Sequence, residues 1–125
     1  MTIIPFYAGL LTLIFITLSL RIIFLRNTLK IGLGDLGNEK LFRAIRVHSN
    51  FVEYVPMSIL LFSFIEFKGG SLLLCHGLCG SLIIGRVTHA YGVSKIKETF
   101  YFRQIGMALT FTPMIAGALY LSLGI

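Results

Sequence analysis

The sequence lacks tryptophan, and it has little of what a water-soluble domain needs on its surface. Charged residues make up 13% of the 125 residues, and only five residues are acidic, whereas a soluble domain usually carries about 25% charged residues. Hydrophobic residues make up 56% of the chain. A chain with so few charged residues cannot cover a water-exposed surface with them, which indicates a protein that is surrounded by lipid.

Cysteine is also scarce, since the chain has only Cys75 and Cys79. These thiols lie one helical turn apart in an apolar segment, a spacing that argues against a disulfide framework. With His76 they would give three adjacent ligands on one turn, too few convergent ligands for a typical metal site. We therefore predict that both cysteines pack in the interior and that the chain has no metal centre.

Charge is absent from three long stretches. These are Ile3–Leu20 with 18 residues, Gly69–Gly85 with 17 and Gln104–Ile125 with 22. A helix needs roughly 20 apolar residues to cross the hydrocarbon core of a bilayer. A fourth apolar stretch, at about 47–65, is interrupted by polar residues. The sequence therefore predicts one domain over residues 1–125 with four transmembrane helices, at about 3–25, 41–66, 71–93 and 101–123.

Short connections join these predicted helices. The longest, at about 27–39, contains GLGDLGN, whose glycines and Asp/Asn residues favour turns. Short connections make sequential helices antiparallel neighbours, so the predicted fold is an all-α membrane protein with a four-helix up-down bundle. Small residues mark positions where helix backbones can approach closely: Gly77, Gly80, Ser81, Gly85, Gly106, Gly117 and Ala118.

The basic residues are distributed unevenly along the chain. Ten of the eleven lysines and arginines lie around the first and third connections, and only Lys68 lies at the second. The positive-inside rule places the first and third connections in the cytoplasm and both termini on the opposite side. This distribution accounts for the net charge of +6 without nucleic acid as a partner. We expect an integral protein of a bacterial inner membrane, with its first apolar segment retained because no basic region precedes it.

Polar side chains form a stripe along the start of the second helix. At about 100° per residue, one arc of about 100° holds five of them, whereas His48 falls on the opposite side. The stripe climbs about 15 Å from the cytoplasmic edge into the bilayer. Ionisable residues at such depth usually face protein or a watery cavity. The members of this stripe are Arg43, Arg46, Asn50, Glu53 and Tyr54.

Further cationic residues are expected at the same depth. Arg86 and His89 share one face of the third helix, Arg103 begins the fourth helix, and Arg26 ends the first. Guanidinium groups bind carboxylates through two hydrogen bonds, so the pattern favours an anionic ligand whose ammonium group could meet Glu53. Simple ion pairs between Glu53 and Arg43 or Arg46, which would only hold helices together, are the structural alternative.

Three segments resemble the MAPEG family, the membrane-associated proteins of eicosanoid and glutathione metabolism. They are RAIRVHSNFVEYVP, GRVTHAYG and FRQIG, of which the R-x-x-R-x-H-x-N-x-x-E pattern at 43–53 is the most specific. The resemblance covers about residues 5–123 and is strongest to small bacterial members. It implies a homotrimer of four-helix subunits with glutathione bound between neighbouring subunits near the cytoplasmic face.

The resemblance also implies roles for individual residues. Arg103 corresponds to the arginine that stabilises the glutathione thiolate, and we therefore assign it the catalytic role. The family's helix-three tyrosines are replaced, because His89 and Val93 occupy that region. The residues implied in glutathione binding are Arg26, Arg43, Arg46, Asn50, Glu53, Tyr54, Arg86 and His89.

The function implied is a glutathione transferase or peroxidase, with glutathione as co-substrate and a lipophilic electrophile that arrives from the bilayer. A fixed positive charge would stabilise the thiolate, which is the nucleophile. Two alternatives stay open from the sequence. One is a non-catalytic scaffold with the same fold, and the other is a small multidrug-type exporter in which Glu53, free of arginine neighbours, binds cations.

Overall fold

The computed structural model describes residues 1–125 and contains four α-helices and no strands. The helices are α1 (Ile3–Leu29), α2 (Glu39–Phe67), α3 (Leu72–Ser94) and α4 (Phe100–Ser122). All four are long and apolar enough to span a membrane. The prediction of four transmembrane helices is therefore confirmed, and the chain is an integral membrane protein.

Local capping explains where the helices begin and end. The Asn38 side chain accepts a hydrogen bond from the Leu41 N–H at 2.9 Å, and the Ser71 hydroxyl accepts one from the Leu74 N–H at 3.2 Å. Such side chains satisfy N–H groups that the first turn of a helix leaves unpaired. Helix α1 continues to Leu29, four residues beyond the predicted end, and stops where Lys30 adopts φ 56°. Arg21 and Arg26 end the apolar run but do not end the helix.

Helices α3 and α4 pack most closely, whereas α1 contacts α2 and α3 but not α4. A Cβ atom added at Gly106 would lie 2.6 Å from the His89 Cβ, and one at Gly85 would lie 2.9 Å from the Gly106 carbonyl oxygen. These glycines therefore allow the close approach that the sequence predicts. Within one protomer no other helix comes close to Gly77 or Gly80, because a Cβ at either would meet nothing within 4 Å.

The interior is apolar, and most of the outer surface is apolar as well. Phe62, Leu82, Cys75 and Cys79 are fully buried in the main core cluster, so the cysteines pack as predicted. Large apolar residues such as Leu73 are exposed on the outside, as expected for helices that face lipid. The side of the membrane on which the termini lie stays a prediction.

Candidate functional site

A cavity of about 360 Å³ opens at the end of the bundle where α2 and α4 begin and α3 ends. Three helices contribute to it, and five of its residues are among those predicted for the site. The apolar part of the lining consists of Phe42, Val93 and Met107, and the polar part consists of Arg43, Arg46, Asn50, His89 and Arg103. The cavity thus combines three guanidinium groups with an apolar wall.

Glu98 links two of the arginines at the edge of the cavity. Its Oε1 accepts hydrogen bonds from Arg103 Nη2 at 2.7 Å and from Arg43 Nη1 at 3.1 Å. Arg43 also donates to the Val93 carbonyl at 3.1 Å and to Glu39 at 3.2 Å. Only 5% of the Glu98 side chain is exposed. The connection between α3 and α4 therefore holds Arg43 and Arg103 together.

Arg86 lies beneath the cavity and does not line it. This side chain donates to Asn50 Oδ1 and, through Nε at 3.0 Å, to Thr110 Oγ1. It also lies 5.8 Å from the centre of the Tyr54 ring. Arg86 is only 2% exposed, so its role in this arrangement is to orient Asn50 and to tie α2 and α3 to α4.

Arg46 and Glu53 face outward from the protomer. Their nearest charged atoms, Arg46 Nη2 and Glu53 Oε1, are 3.9 Å apart, and each side chain is 50% exposed. Arg46 lines the cavity, whereas Glu53 lies two turns further along the same helix and is not part of the lining. The nearby guanidinium disfavours the exporter alternative, which needs a glutamate free of arginine neighbours.

The structure does not bring Arg26 to the cavity. Its Nη1 donates to the carbonyl oxygens of Gly34 at 2.8 Å and Ile31 at 3.3 Å, so within one protomer it holds the first connection in place. His48 lies opposite the polar stripe, as the helical spacing predicts, and its Nε2 lies 3.0 Å from Ser19 Oγ on α1.

Several contributors were missed by the sequence interpretation. Glu98 was overlooked because it lies in a connection, 55 residues from Arg43. Thr110, which accepts from Arg86, and Met107, whose sulphur lies 3.3 Å from Arg86 Nη2, resemble ordinary membrane residues. The spacing of residues in α4 could have indicated their involvement. Arg103, Met107 and Thr110 recur at helical spacing and therefore share one face of α4, and Gly106 lies on the same side.

The charges of the cavity suit an anion. No carboxylate is among its lining residues, and Glu98 can neutralise only one of the two arginines it binds. Arg46 makes no hydrogen bond within the protomer, and its contact with the Glu53 carboxylate is 3.9 Å long. The His89 ring also lines the cavity without a hydrogen-bond partner. Free guanidinium donors in a partly enclosed site bind carboxylates in a two-point fashion.

The family model described as "MAPEG family" matches residues 4–123. The chain belongs to the MAPEG family. The match covers nearly all of the chain and includes every residue that lines the cavity, which confirms the family predicted from the three motif segments.

This MAPEG protein is also similar to inner membrane protein YecN of Escherichia coli strain K12. The two are 34% identical over 110 residues, which cover 87% of this chain and 82% of the relative. The protein of the same name from Escherichia coli O6:H1 strain CFT073 matches to the same extent. No solved structure matches the chain significantly. The four apolar helices and these relatives support an integral inner membrane protein.

Proposed function

We propose that this MAPEG protein binds glutathione in the cavity and joins it, through its sulphur, to lipophilic electrophiles. The observation that supports the proposal is the convergence of Arg43, Arg46 and Arg103 on one cavity beside an apolar wall. The volume of about 360 Å³ lies within the usual range for small-molecule sites, about 300–1,000 Å³. Glutathione carries two carboxylates, an ammonium group and a thiol. The arginines of the cavity are counterparts for the carboxylates and the thiolate, and Glu53, outside the lining but 3.9 Å from Arg46, is a counterpart for the ammonium group.

In this proposal Arg43 and Arg46 bind the carboxylates and Glu53 binds the ammonium group. Arg103 is assigned to the sulphur, since its charge remains fixed and can favour the thiolate over the thiol. The thiolate then attacks an electrophilic carbon, and the leaving group departs with the bonding electrons. Phe42, Val93 and Met107 give this electrophile an apolar contact surface.

The proposed assembly is a homotrimer in which neighbouring copies complete the site. Arg46 and Glu53 are each 50% exposed on a membrane-spanning helix, and ionisable groups that face hydrocarbon are costly. A second copy packed over this face would remove both groups from lipid and enclose the open side of the cavity. Arg26 of that second copy would be the candidate for a contact across the boundary.

Calorimetric titration of glutathione into the detergent-solubilised protein tests binding. We expect Arg46→Ala and Glu53→Ala each to weaken binding at least about tenfold, because a hydrogen bond to a charged group contributes about 1.5–3 kcal/mol. Lys40→Ala is the matched control, since Lys40 is exposed on the same helix and does not line the cavity. Unchanged affinity in both variants, with the assembly intact, would overturn the proposal.

A non-catalytic glutathione-binding scaffold is the second candidate. The resemblance places His89 where some members have tyrosine and others histidine, and Val93 has no hydroxyl, so the family's helix-three tyrosines are not reproduced on the wall of the cavity. Conjugation of glutathione to a chlorodinitrobenzene separates the two candidates. Turnover that is lost in Arg103→Gln supports the transferase, whereas bound glutathione without any turnover supports the scaffold.

A further inference from the structure

A second basic groove lies between α1 and α3 and shares no residue with the cavity described above. Its volume is about 430 Å³. The residues of this α1–α3 groove that bear on its chemistry are Ile14, Arg21, Val87, Tyr91, Ser94 and Lys95. The groove is open to the outside of the protomer.

Arg21 is incompletely satisfied in this groove. Its Nη1 donates to the Ser94 hydroxyl at 2.8 Å, but Nε and Nη2 are shielded and have no hydrogen-bond acceptor. Buried donors are nearly always paired in native proteins, with protein, water or a ligand. Arg21 lines the groove, so an oxygen acceptor that enters beside it could pair with these two nitrogens.

No carboxylate of the chain balances the charge of this groove. Three of the five acidic residues, Glu39, Glu53 and Glu98, pair with arginines of α2 and α4. Glu66 accepts from the first N–H groups of α1, and Asp35 accepts from the Gly37 N–H. The second cation of the groove, Lys95, lies 4.2 Å over the Tyr91 ring, so both positive charges lack an anionic partner.

The polar and apolar parts of the groove are arranged in order of depth. Arg21 and Lys95 lie at the end of the bundle that carries most of the basic residues. Ile14 precedes Arg21 by seven residues and Val87 precedes Lys95 by eight, so at 1.5 Å per residue they lie about 10–12 Å deeper in the bilayer. A ligand that matches this order has an anionic head at the interface and an apolar chain in the hydrocarbon.

We propose that the α1–α3 groove binds an anionic phospholipid. Its phosphate accepts hydrogen bonds from Arg21 and forms an ion pair with Lys95. One of its acyl chains runs along Ile14 and Val87. The basic end of a membrane protein faces the leaflet that is rich in anionic lipid, so this ligand is abundant where the groove opens. The inference is independent of glutathione binding, because the two sites have no residue in common.

Native mass spectrometry of the delipidated protein in its intact assembly tests the proposal. Phosphatidylglycerol and phosphatidylcholine with identical acyl chains are titrated separately, and the dissociation constant of the first bound lipid is measured. We expect tighter binding of phosphatidylglycerol, and we expect Arg21→Gln and Lys95→Gln each to weaken it about fivefold, since each basic residue near the membrane surface contributes about 1 kcal/mol. Lys40→Gln, which removes the same charge from an exposed position outside the groove, should retain the preference.

Lys95→Gln tests the proposal even if Arg21→Gln does not fold. The Lys95 side chain is exposed and makes no hydrogen bond, so this variant should fold like the wild-type protein. Equal affinity for the two lipids would overturn the proposal, as would a preference that both variants retain. Displacement of phosphatidylglycerol by glycerol 3-phosphate at an equal concentration would also overturn it, because the groove would then bind a soluble phosphate. If a second copy of the chain occupies the groove instead of lipid, the protein should bind phosphatidylglycerol and phosphatidylcholine with equal affinity, which also overturns the proposal.

Discussion

At the scale of single residues, two arginines share one carboxylate at the edge of the cavity. Glu98 Oε1 is within hydrogen-bond distance of both Arg103 and Arg43. Replacing Glu98 by glutamine keeps the shape of the side chain but removes the charge. We expect Glu98→Gln to lower the free energy of unfolding by about 1.5–3 kcal/mol, as for lost hydrogen bonds to charged groups, measured by chemical denaturation in detergent.

Glu39 provides the matched control for this prediction. It also pairs with Arg43, at 3.2 Å, but its side chain is 53% exposed, and exposed ion pairs contribute about 0–1 kcal/mol. Glu39→Gln should therefore change the free energy of unfolding little. If the two variants lose the same stability, Glu98 has no special part in holding the arginines together.

The charge of Arg103 can be tested on the ligand itself. A cation beside the sulphur favours the thiolate, so glutathione bound to the wild-type protein should have a thiol pKa below that of the free tripeptide. Arg103→Gln should move the ionisation of the bound thiol to higher pH by about 1–2 pH units, followed by ultraviolet absorbance of the thiolate. Arg103→Lys keeps the charge and should retain much of the effect. If the titration midpoint of the bound thiol in both variants equals that of the wild-type protein, the sulphur is bound by another residue.

At the scale of the helices, two glycines of similar appearance in the sequence have different surroundings. A Cβ at Gly106 would lie 2.6 Å from the His89 Cβ and 2.7 Å from the His89 backbone nitrogen, whereas one at Gly80 would meet nothing within 4 Å. Gly106→Ala should lower the free energy of unfolding by about 1–3 kcal/mol, as overpacking does, and should displace His89 from the cavity wall.

Gly80→Ala is the control, and it should be neutral or stabilising by up to about 1 kcal/mol, because alanine favours a helix more than glycine does. Thermal unfolding of both variants in the same detergent measures the difference. Equal effects would mean that the contact between α3 and α4 tolerates a methyl group at Gly106, despite the distance of 2.6 Å to the His89 Cβ.

The beginning of α1 depends on a residue at the end of α2. Glu66 accepts hydrogen bonds from the N–H groups of Thr2, Ile3 and Ile4 at 2.7–2.9 Å. A carboxylate at this position also interacts favourably with the helix dipole. Glu66→Ala should lower the free energy of unfolding by about 1–2 kcal/mol, and hydrogen–deuterium exchange at these three amides should become faster.

Glu66→Gln retains an acceptor oxygen and should lie between the wild-type protein and the alanine variant. If exchange in the first turn of α1 is the same in all three proteins, the contact between Glu66 and α1 does not contribute to the stability of that turn. This contact could not be predicted from the sequence, because Glu66 and Ile3 are 63 positions apart.

Hydropathy and spacing were sufficient for the helices and for one side of the cavity. The apolar runs predicted four spans, and the periodicity of α2 placed Arg43, Arg46 and Asn50 on the cavity wall. The periodicity could not show that Arg86 directs its donors to Thr110 and Asn50 inside the bundle, since a hydrogen-bond partner depends on tertiary contacts. For the same reason the sequence could not show that Arg26 binds carbonyl oxygens of its own connection within one protomer.

At the scale of the whole molecule, one protomer leaves its most polar membrane face uncovered. Arg46 and Glu53 are half-exposed on α2, although the buried side of the same helix includes the fully buried Phe62 and Ile65. A soluble bundle would tolerate this exposure, because water would solvate both charges. In hydrocarbon the same exposure is costly, so the monomer is not expected to be the stable unit in a bilayer.

Assembly into a trimer can be tested by replacing one residue of this face. Light scattering in detergent should give the mass of three chains of 13.9 kDa for the wild-type protein. Glu53→Lys places a second cation beside Arg46, 3.9 Å from the original carboxylate oxygen, and should dissociate the assembly because like charges would then meet in a contact shielded from water. Glu53→Gln removes the charge without adding repulsion and should remain trimeric. A wild-type monomer, or a Glu53→Lys protein that stays trimeric, would show that this face of α2 does not lie between copies, and the proposal that a neighbouring copy completes the site would then fail.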